Sequence, residues 1–362
     1  MQEESAVDER ERLLKEFTEA VGVPGYEEEV RAVLRRYTEG IAEISQDQLG
    51  SFVAYLAGPA RGPKVMLAGH MDEIGFMVRH ITDEGFLRFL PLGGWWEQVV
   101  LGQRMQVITS QGRVIGITGA KPPHLMDQEE RGKIVQKKDM YLDVGVSSKD
   151  EVAALGIRLG DPIVPVSPFT IMGNPKSYLA KAFDNRVGCA LAIEALRAVV
   201  KSKRVNHLYA VGTVQEEVGT RGAKTSAFLV NPDVAIVLEV DIAGDVPGIK
   251  PEECAVKLGQ GPSLLLYDAR MIPNLRLRDM VIQTAEKEGI PLQFGMMPGG
   301  ATDGAMIHMH NTGVPCVVIG VPARHIHSHT SIINRDDYDN TLKLLLALIR
   351  KLDAKTVHGL TV

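Results

Sequence analysis

Residues 65–72 read VMLAGHMD, an apolar run that ends on a histidine and an aspartate. A short, continuous apolar run is typical of a strand that is buried on both faces of a parallel sheet. In open α/β sheets the ligand crevice lies beyond the carboxyl ends of such strands. The stretch therefore predicts an α/β fold whose functional site begins at His70 and Asp72.

Helical patterns and short apolar runs alternate along most of the remaining chain. Two short helices are predicted within 8–38, followed by strands at 41–47 and 51–57. After residue 170, helices are predicted over 185–201, 222–230, 274–288 and 336–354, and strands over 207–214, 234–240 and 314–320. This alternation predicts a doubly wound α/β body.

Residues 73–165 have a different character. Alternating segments such as FMVRHIT, FLRFLPL, RMQVIT and RVIGIT are separated by the turn signals DEG, GG and SQG. Their spacing of roughly 8–12 residues is that of a small all-β unit, in which only 148–155 has a helical pattern. We therefore predict one α/β domain, formed by 1–72 and 166–362, that is interrupted by an inserted β domain at 73–165.

Composition excludes several classes of function. The 362 residues are 45% hydrophobic and 23% charged, as in an ordinary globular protein, and the 40 Lys and Arg against 45 Asp and Glu leave no basic surface for nucleic acid. The three cysteines are far apart, which argues against disulfides or a thiolate zinc site and favours a reducing cytoplasm. The acidic N-terminus lacks the apolar segment of a secretory signal, and we expect no membrane partner because no apolar run is long enough to span a bilayer.

Acidic and histidine residues collect at the ends of the predicted strands. Besides His70 and Asp72 they are Asp184, Glu216, Glu217, Asp241, His325, His327 and His329. Without Lys or Arg among them, the carboxylates would repel one another unless a cation lay between them. Nitrogen and oxygen ligands without a thiolate are typical of zinc, manganese or cobalt, so the pattern predicts a divalent metal site.

Each of these signals also has a structural interpretation. His70 and Asp72 could form a buried hydrogen-bonded pair, Asp184 could cap a helix, and Asp241 could pair with an arginine. A Glu-Glu pair usually lies in a solvated loop, but this one follows the apolar run LYAVGTV. Where the chain turns at a strand end, both carboxylates can approach one metal centre, with one binding metal and the other free as a general base. Spacing does not choose among the three C-terminal histidines.

Other motifs argue against alternative chemistries. The glycine pairs Gly93-Gly94 and Gly299-Gly300 match neither G-x-G-x-x-G nor a Walker pattern, so nucleotide binding is not supported. The sequence also lacks H-E-x-x-H and G-x-S-x-G. A single-zinc protease helix and a serine nucleophile are therefore not supported either.

Six ordered segments carry a family resemblance. AGHMDEIGF, AFDNRVG, TVQEEVGTRGA, LEVDIAGDVPG, GGATDG and VPARHIHS resemble the tetrahedral aminopeptidases, and the resemblance covers about residues 10–354. These are cytosolic dizinc exopeptidases that include glutamyl, leucyl, lysyl and deblocking enzymes, some formerly labelled cellulases. The resemblance implies a phosphorylase/hydrolase-like catalytic domain with an inserted β dimerisation domain. It also implies short peptide substrates, dimers that build a tetrahedral dodecamer, and two divalent ions per subunit, zinc by default with cobalt or manganese as alternatives.

The resemblance further implies a role for each candidate residue. The implied metal ligands are His70, Asp184, Glu217, Asp241 and His327. Asp184 would bridge the two ions, Glu216 would be the general base, and Asp72 would orient His70. His325 stands where the family usually has tyrosine, and the loop at 301–304 departs from the usual GTDA, so the preferred N-terminal residue stays open.

Two other activities are compatible with parts of this pattern. A metal-dependent deacylase or amidase acting on N-acyl amino acids could use the same ligand chemistry. A glycosidase, suggested only by the cellulase labels of the family, needs two carboxylates beside the sugar and ordinarily no metal.

Overall fold

The computed structural model describes residues 8–361, so the predicted absence of a secretory signal concerns a stretch that begins outside the described residues. The helices are α1 (Glu9–Glu19), α2 (Glu28–Thr38), α3 (Gln128–Arg131), α4 (Lys149–Ala154), α5 (Phe183–Val199), α6 (Arg221–Val230), α7 (Leu275–Glu288), α8 (Gly304–Ile307), α9 (Arg335–Lys351) and α10 (Ala354–His358). Among these described helices, none is long and apolar enough to cross a bilayer.

The strands form two separate sheets. They are β1 (Glu43–Gln46), β2 (Phe52–Leu56), β3 (Lys64–His70), β4 (Gly75–Ile81), β5 (Leu87–Leu92), β6 (Arg104–Thr109), β7 (Gly112–Gly119), β8 (Tyr141–Asp143), β9 (Pro162–Pro165), β10 (Thr170–Ile171), β11 (Ser177–Ala180), β12 (His207–Thr213), β13 (Val234–Ile242), β14 (Ser263–Asp268), β15 (Gln293–Met297), β16 (Cys316–Arg324) and β17 (Ser331–Asn334).

The larger sheet is parallel at its centre. Its strands lie in the order β1-β2-β12-β3-β13-β16-β17-β11-β10; in addition, β14 pairs with β16, and β15 pairs with β14. The neighbours β12, β3, β13 and β16 run parallel, and their residues are almost all buried. Parallel strands covered on both faces are expected to have such continuous apolar sequences.

Helices cover both faces of this sheet. Val65 and Leu67 of β3 belong to a core formed with α1, α2, α5, α7 and α9, whereas Met66 and Ala68 pack with α6 and α8. Successive residues of a strand face opposite sides, so one strand contributes to both cores. The predicted doubly wound α/β body is confirmed.

The smaller sheet is a closed antiparallel barrel. Its strands lie between Gly75 and Pro165 in the order β4-β5-β8-β7-β6-β9, and β9 closes the barrel by pairing with β4. Its core contains Phe76, Phe89 and Trp95. The alternating segments of this part of the chain therefore form strands that bury one face inside the barrel.

A buried ion network lies where the chain leaves β3 for the barrel. Glu73 is 2% exposed, and its carboxylate accepts hydrogen bonds from Lys181 Nζ at 2.6 and 2.8 Å and from Arg186 Nη2 at 3.2 Å. Arg186 also donates to the carbonyl oxygens of Ala20 and Gly22. The network thus joins the N-terminal helices, α5 and the first residues of the insertion.

Candidate active site

Acidic and histidine side chains converge at the carboxyl edge of the central strands. They come from the ends of β3, β12 and β16, from β13, and from the first turn of α5. The residues are His70, Asp184, Glu216, Glu217, Glu239 and His327. Because the four central strands are parallel, the sequence positions that follow them meet at one edge of the sheet.

Asp184 lies between the two imidazoles. Its Oδ1 is 3.1 Å from Nε2 of His70, and its Oδ2 is 3.5 Å from Nε2 of His327. Ligand atoms of His70, Asp184 and Glu217 all lie within 4.8 Å of one another. One carboxylate therefore faces both halves of the cluster, one oxygen to each histidine.

The first half surrounds His70, which is 2% exposed. Nδ1 of the imidazole lies 3.0 Å from the carbonyl oxygen of Asp72, so an N–H there can donate to that carbonyl. Nε2 then faces the carboxylates, with Glu216 Oε2 at 3.8 Å and Glu239 Oε2 at 3.9 Å. Such a hydrogen bond on one ring nitrogen fixes the tautomer that leaves the other nitrogen free to bind metal.

The second half is completed by a loop of the barrel. Nε2 of His327 is 3.7 Å from Glu217 Oε1, and Nδ1 lies 2.8 Å from the carbonyl oxygen of Gly94. Gly93 has φ +86°, and a Cβ there would approach within 3.0 Å of Glu217 Oε2 and 2.5 Å of Ile74. The loop after β5 therefore needs glycine to lie this close to the cluster.

Asp72 shapes the turn that carries the two glutamates. Its carboxylate accepts the backbone N–H groups of Glu216 and Glu217, each at 3.0 Å, and its Oδ1 is 3.6 Å from Nδ1 of His70. The preceding Gln215 has φ +56°, a conformation that is strained for a residue with a Cβ. Asp72 therefore positions both the imidazole of His70 and the turn that carries Glu216 and Glu217.

The structure does not bring Asp241 into the cluster. Its Oδ1 accepts the N–H of Ile242 at 2.8 Å, and among the described residues no ion pair joins it to His70 or His327. Glu239, two positions earlier on β13, supplies the carboxylate that faces His70. Sequence reasoning missed Glu239 because it lies inside the predicted strand, although a charged residue within the run VAIVLEV was the available signal.

The remaining candidates lie around the cluster. Of the three C-terminal histidines, only His327 makes these close approaches within the described chain, whereas His325 is exposed with φ +60° and His329 is half-buried. In the loop at 301–304, Asp303 is buried and accepts a hydrogen bond from the hydroxyl of Thr213.

The charges of the cluster are unbalanced. Burial and the neighbouring Asp184 raise the pKa of Glu217 to about 7, and burial raises the pKa of Glu216 and Glu239 well above their ordinary value. Burial alone would lower the pKa of His327, but Asp184 and Glu217 raise it to about 10. Within residues 8–361 no Lys or Arg pairs with these carboxylates. Four carboxylates around two imidazoles therefore fit bound divalent cations.

A cleft of about 990 Å³ opens beside the cluster. Glu216, Glu217 and His327 lie on its wall, and so does Ala301 of the 301–304 loop. Its volume is at the upper end of the range for small-molecule sites, roughly 300–1,000 Å³, which leaves room for a substrate of several residues.

Known proteins share this sequence and fold. Residues 50–344 match the M42 glutamyl aminopeptidase family, and residues 8–34 match a model described as AMPT. The chain is 41% identical over 349 residues to the putative aminopeptidase FrvX of Escherichia coli (strain K12), and the aligned region covers 96% of this chain and 97% of that protein.

Two solved structures extend the comparison. A TET aminopeptidase from the marine sediment archaeon Thaumarchaeota archaeon SCGC AB-539-E09 superposes with a TM-score of 0.95 at 48% identity, covering 97% of this chain and 98% of that one. The TET1 peptidase of Pyrococcus horikoshii, described as able to assemble into a tetrahedron or a large octahedral shell, gives 0.85 at 32% identity over 94% and 99% of the two chains. With a family match over most of its length and a metal-type cluster beside a cleft, this chain belongs to the M42 aminopeptidases, a family of metal-dependent peptide hydrolases.

Proposed function

We propose that the chain removes N-terminal residues from short peptides with two divalent metal ions per subunit and with Glu216 as the general base. The observation that carries the proposal is the position of Asp184, whose two oxygens face two different imidazoles. Each imidazole also has a carboxylate of its own within 4 Å. A single metal site would not need this duplicated arrangement.

Two ligand sets follow from these distances. The first consists of His70, Glu239 and Asp184, and the second of His327, Glu217 and Asp184. Glu239 here takes the place predicted for Asp241. Zinc is the default ion for this set of nitrogen and oxygen donors, and cobalt or manganese could replace it. When bound, the ions would act as Lewis acids on the scissile carbonyl and make water a better nucleophile.

Glu216 is the carboxylate that neither ligand set uses. Its backbone is fixed by Asp72, and its side chain lies between His70 and the cleft. From there it can take a proton from the attacking water and pass it to the leaving amine, a role worth about 10²–10⁴-fold in rate.

The charge of the cleft favours a free amine in the substrate. Besides the carboxylates assigned to the metal centre, Glu252 and Glu253 lie on the wall of the cleft, and their negative charges attract the ammonium group of an unmodified peptide N-terminus. An N-acyl amino acid lacks that positive charge and brings a carboxylate instead. A glycosidase would have no use for two imidazoles and the bridging position of Asp184.

We further propose that the barrel is the oligomerisation domain predicted at 73–165 and that the chain forms a dimer-based tetrahedral dodecamer. Ile115 and Ile117 on β7 are each 52% exposed, which is typical of an interface rather than of a solvated strand. The described cysteines, Cys189, Cys254 and Cys316, are all free thiols, which supports a location in the reducing cytoplasm.

The test is a panel of aminoacyl-p-nitroanilides (Leu, Glu, Asp, Lys, Arg and Ala) with an N-acetylated control, assayed with added Zn²⁺ or Co²⁺ and with chelator. We expect release from free-amine substrates, loss of activity with chelator, and none from the acetylated control. Elemental analysis should find two metal ions per subunit. Preferential hydrolysis of N-acetyl amino acids would instead identify a deacylase, and activity that survives metal removal would refute the proposed centre.

A further inference from the structure

Asp241 is a buried carboxylate on the wall of the cleft that the proposed mechanism does not use. The residue is 6% exposed, and its Oδ1 accepts the N–H of Ile242. Its Oδ2 has no hydrogen-bond partner among the described residues. Leaving a buried charged oxygen without a partner is costly, so the position indicates a group that arrives with a ligand.

The surrounding backbone is shaped to hold this carboxylate. A Cβ on Gly295 of β15 would lie 2.0 Å from Asp241 Oδ2, and a Cβ on Gly320 of β16 would lie 2.9 Å from Asp241 Cβ. Both glycines are inside strands, where the absence of a side chain commonly marks a close approach. By contrast, the nearby Asp245 is already paired with Arg324, whose Nε is 3.0 Å from its Oδ1.

The rest of the cleft suits a long side chain with a positive end. Glu252 and Glu253 also lie on its wall, and among the described lining residues Arg270 is the single Lys or Arg. An apolar wall is formed by Phe294, Met296, Met297 and Ile326. Lysine and arginine bury their apolar stems in such surroundings while their charged ends reach a polar partner.

The distance from the metal-type cluster is also suitable. Asp241 follows Glu239 by two residues on β13, so it lies about 6.7 Å farther along the strand, at the rise of a regular strand. A substrate whose amine sits at the cluster would extend its first side chain from there. The four-carbon stem of lysine is suited to such a span.

We propose that Asp241 determines substrate specificity by pairing with the cationic side chain of the N-terminal residue, so that the enzyme favours peptides beginning with lysine or arginine. The proposal rests on the aminopeptidase function proposed above. It assigns Asp241 to the substrate and not to the metal ions.

The experiment compares kcat/KM for Lys-, Arg-, Leu- and Glu-p-nitroanilide in the wild type and in Asp241→Asn. We expect the wild type to prefer Lys and Arg over Leu by at least ~10-fold, the size of one charge-assisted hydrogen bond. Asp241→Asn should lower kcat/KM for Lys and Arg by about 10–100-fold, mainly through KM, and change that for Leu by less than about 3-fold. Its metal content should equal that of the wild type. Asp279→Asn is the matched control, because that side chain is exposed on α7, pairs with Arg278 and lies outside the residues that line the cleft; it should leave the Lys/Leu ratio unchanged.

Inhibition of the wild-type enzyme by free amino acids tests the same proposal without a variant that could misfold. Inhibition of the wild type by L-lysine and by L-norleucine, which has the same stem without the charge, should show at least ~10-fold tighter binding of lysine. Equal inhibition by both would overturn the proposal, as would equal losses for Lys and Leu substrates or loss of metal in Asp241→Asn. If the wild type hydrolyses Leu-p-nitroanilide without preferring Lys or Arg, only this inference fails. If it hydrolyses none of the substrates, the proposed function fails instead.

Discussion

Replacing Glu73 by glutamine should destabilise the protein strongly although Glu73 is outside both ligand sets. The substitution keeps the shape of the side chain but removes the negative charge that faces Lys181 and Arg186. These cations are 4% and 0% exposed in their side chains, so water cannot take over the lost interaction. Breaking a buried ion pair by removing one partner typically costs about 3–5 kcal/mol in the free energy of unfolding.

This free energy can be converted into a change in melting temperature. An unfolding entropy of about 2.1 cal/mol/K per residue gives about 0.76 kcal/mol/K for 362 residues. A loss of about 3–5 kcal/mol therefore lowers Tm by about 4–7 °C. The midpoint should be followed by circular dichroism at one protein concentration and one metal concentration, since assembly and metal binding both shift Tm.

The matched control is Glu129→Gln, which removes an exposed ion pair between Glu129 and Lys133, whose side chains are 84% and 67% exposed. Exposed pairs of this kind contribute little, so its Tm should stay within about 1 °C of the wild type. If the Tm of Glu73→Gln also stays within about 1 °C of the wild type, the buried network does not stabilise the junction between the barrel and the α/β body in the way described.

Three further predictions concern the site. Glu216→Gln should keep two metal ions by elemental analysis and lose about 10²–10⁴-fold in kcat, and an unchanged kcat would refute its role as base. Glu239→Gln should reduce the bound metal, because Glu239 is assigned to the first ligand set. Full metal occupancy in equilibrium dialysis would show that Glu239 is not a metal ligand. Gly93→Ala should weaken metal binding while the barrel stays folded, because its Cβ would press on Glu217 and Ile74. Wild-type metal affinity in that variant would show that the loop yields without disturbing Glu217.

Much of the catalytic body was predictable because its signals are local. The helix α5 and the strands β12 and β13 were each predicted to within a few residues, since their apolar runs are long and bounded by polar segments. Short strands such as β14 and β15 were not predicted. β14 is held by pairing with β16 and β15 by pairing with β14, and no local pattern reports such pairing.

The site was predicted less completely, because part of its geometry depends on contacts that no local pattern reports. His70 and Glu217 were found because they follow apolar runs, and Asp184 because it precedes a predicted helix; the structure brings the three together. Glu239 was missed because it lies inside the predicted strand 234–240. Asp241 was chosen instead because the end of β13 was placed two residues too early, and boundaries are the weakest part of any pattern. The hydrogen bond from His327 to Gly94 joins residues 233 positions apart, so sequence spacing carried no trace of it.

The strand order also has a consequence for synthesis of the chain. β3 pairs with β12 and β13, but the whole barrel is translated between them, and about 136 residues separate His70 from His207. At about 5–20 residues per second, the ribosome leaves this apolar strand without neighbours for roughly 7–27 s. An unpaired strand of this kind readily joins another chain, so protein yield in cells should depend on chaperones and on slow, cool expression.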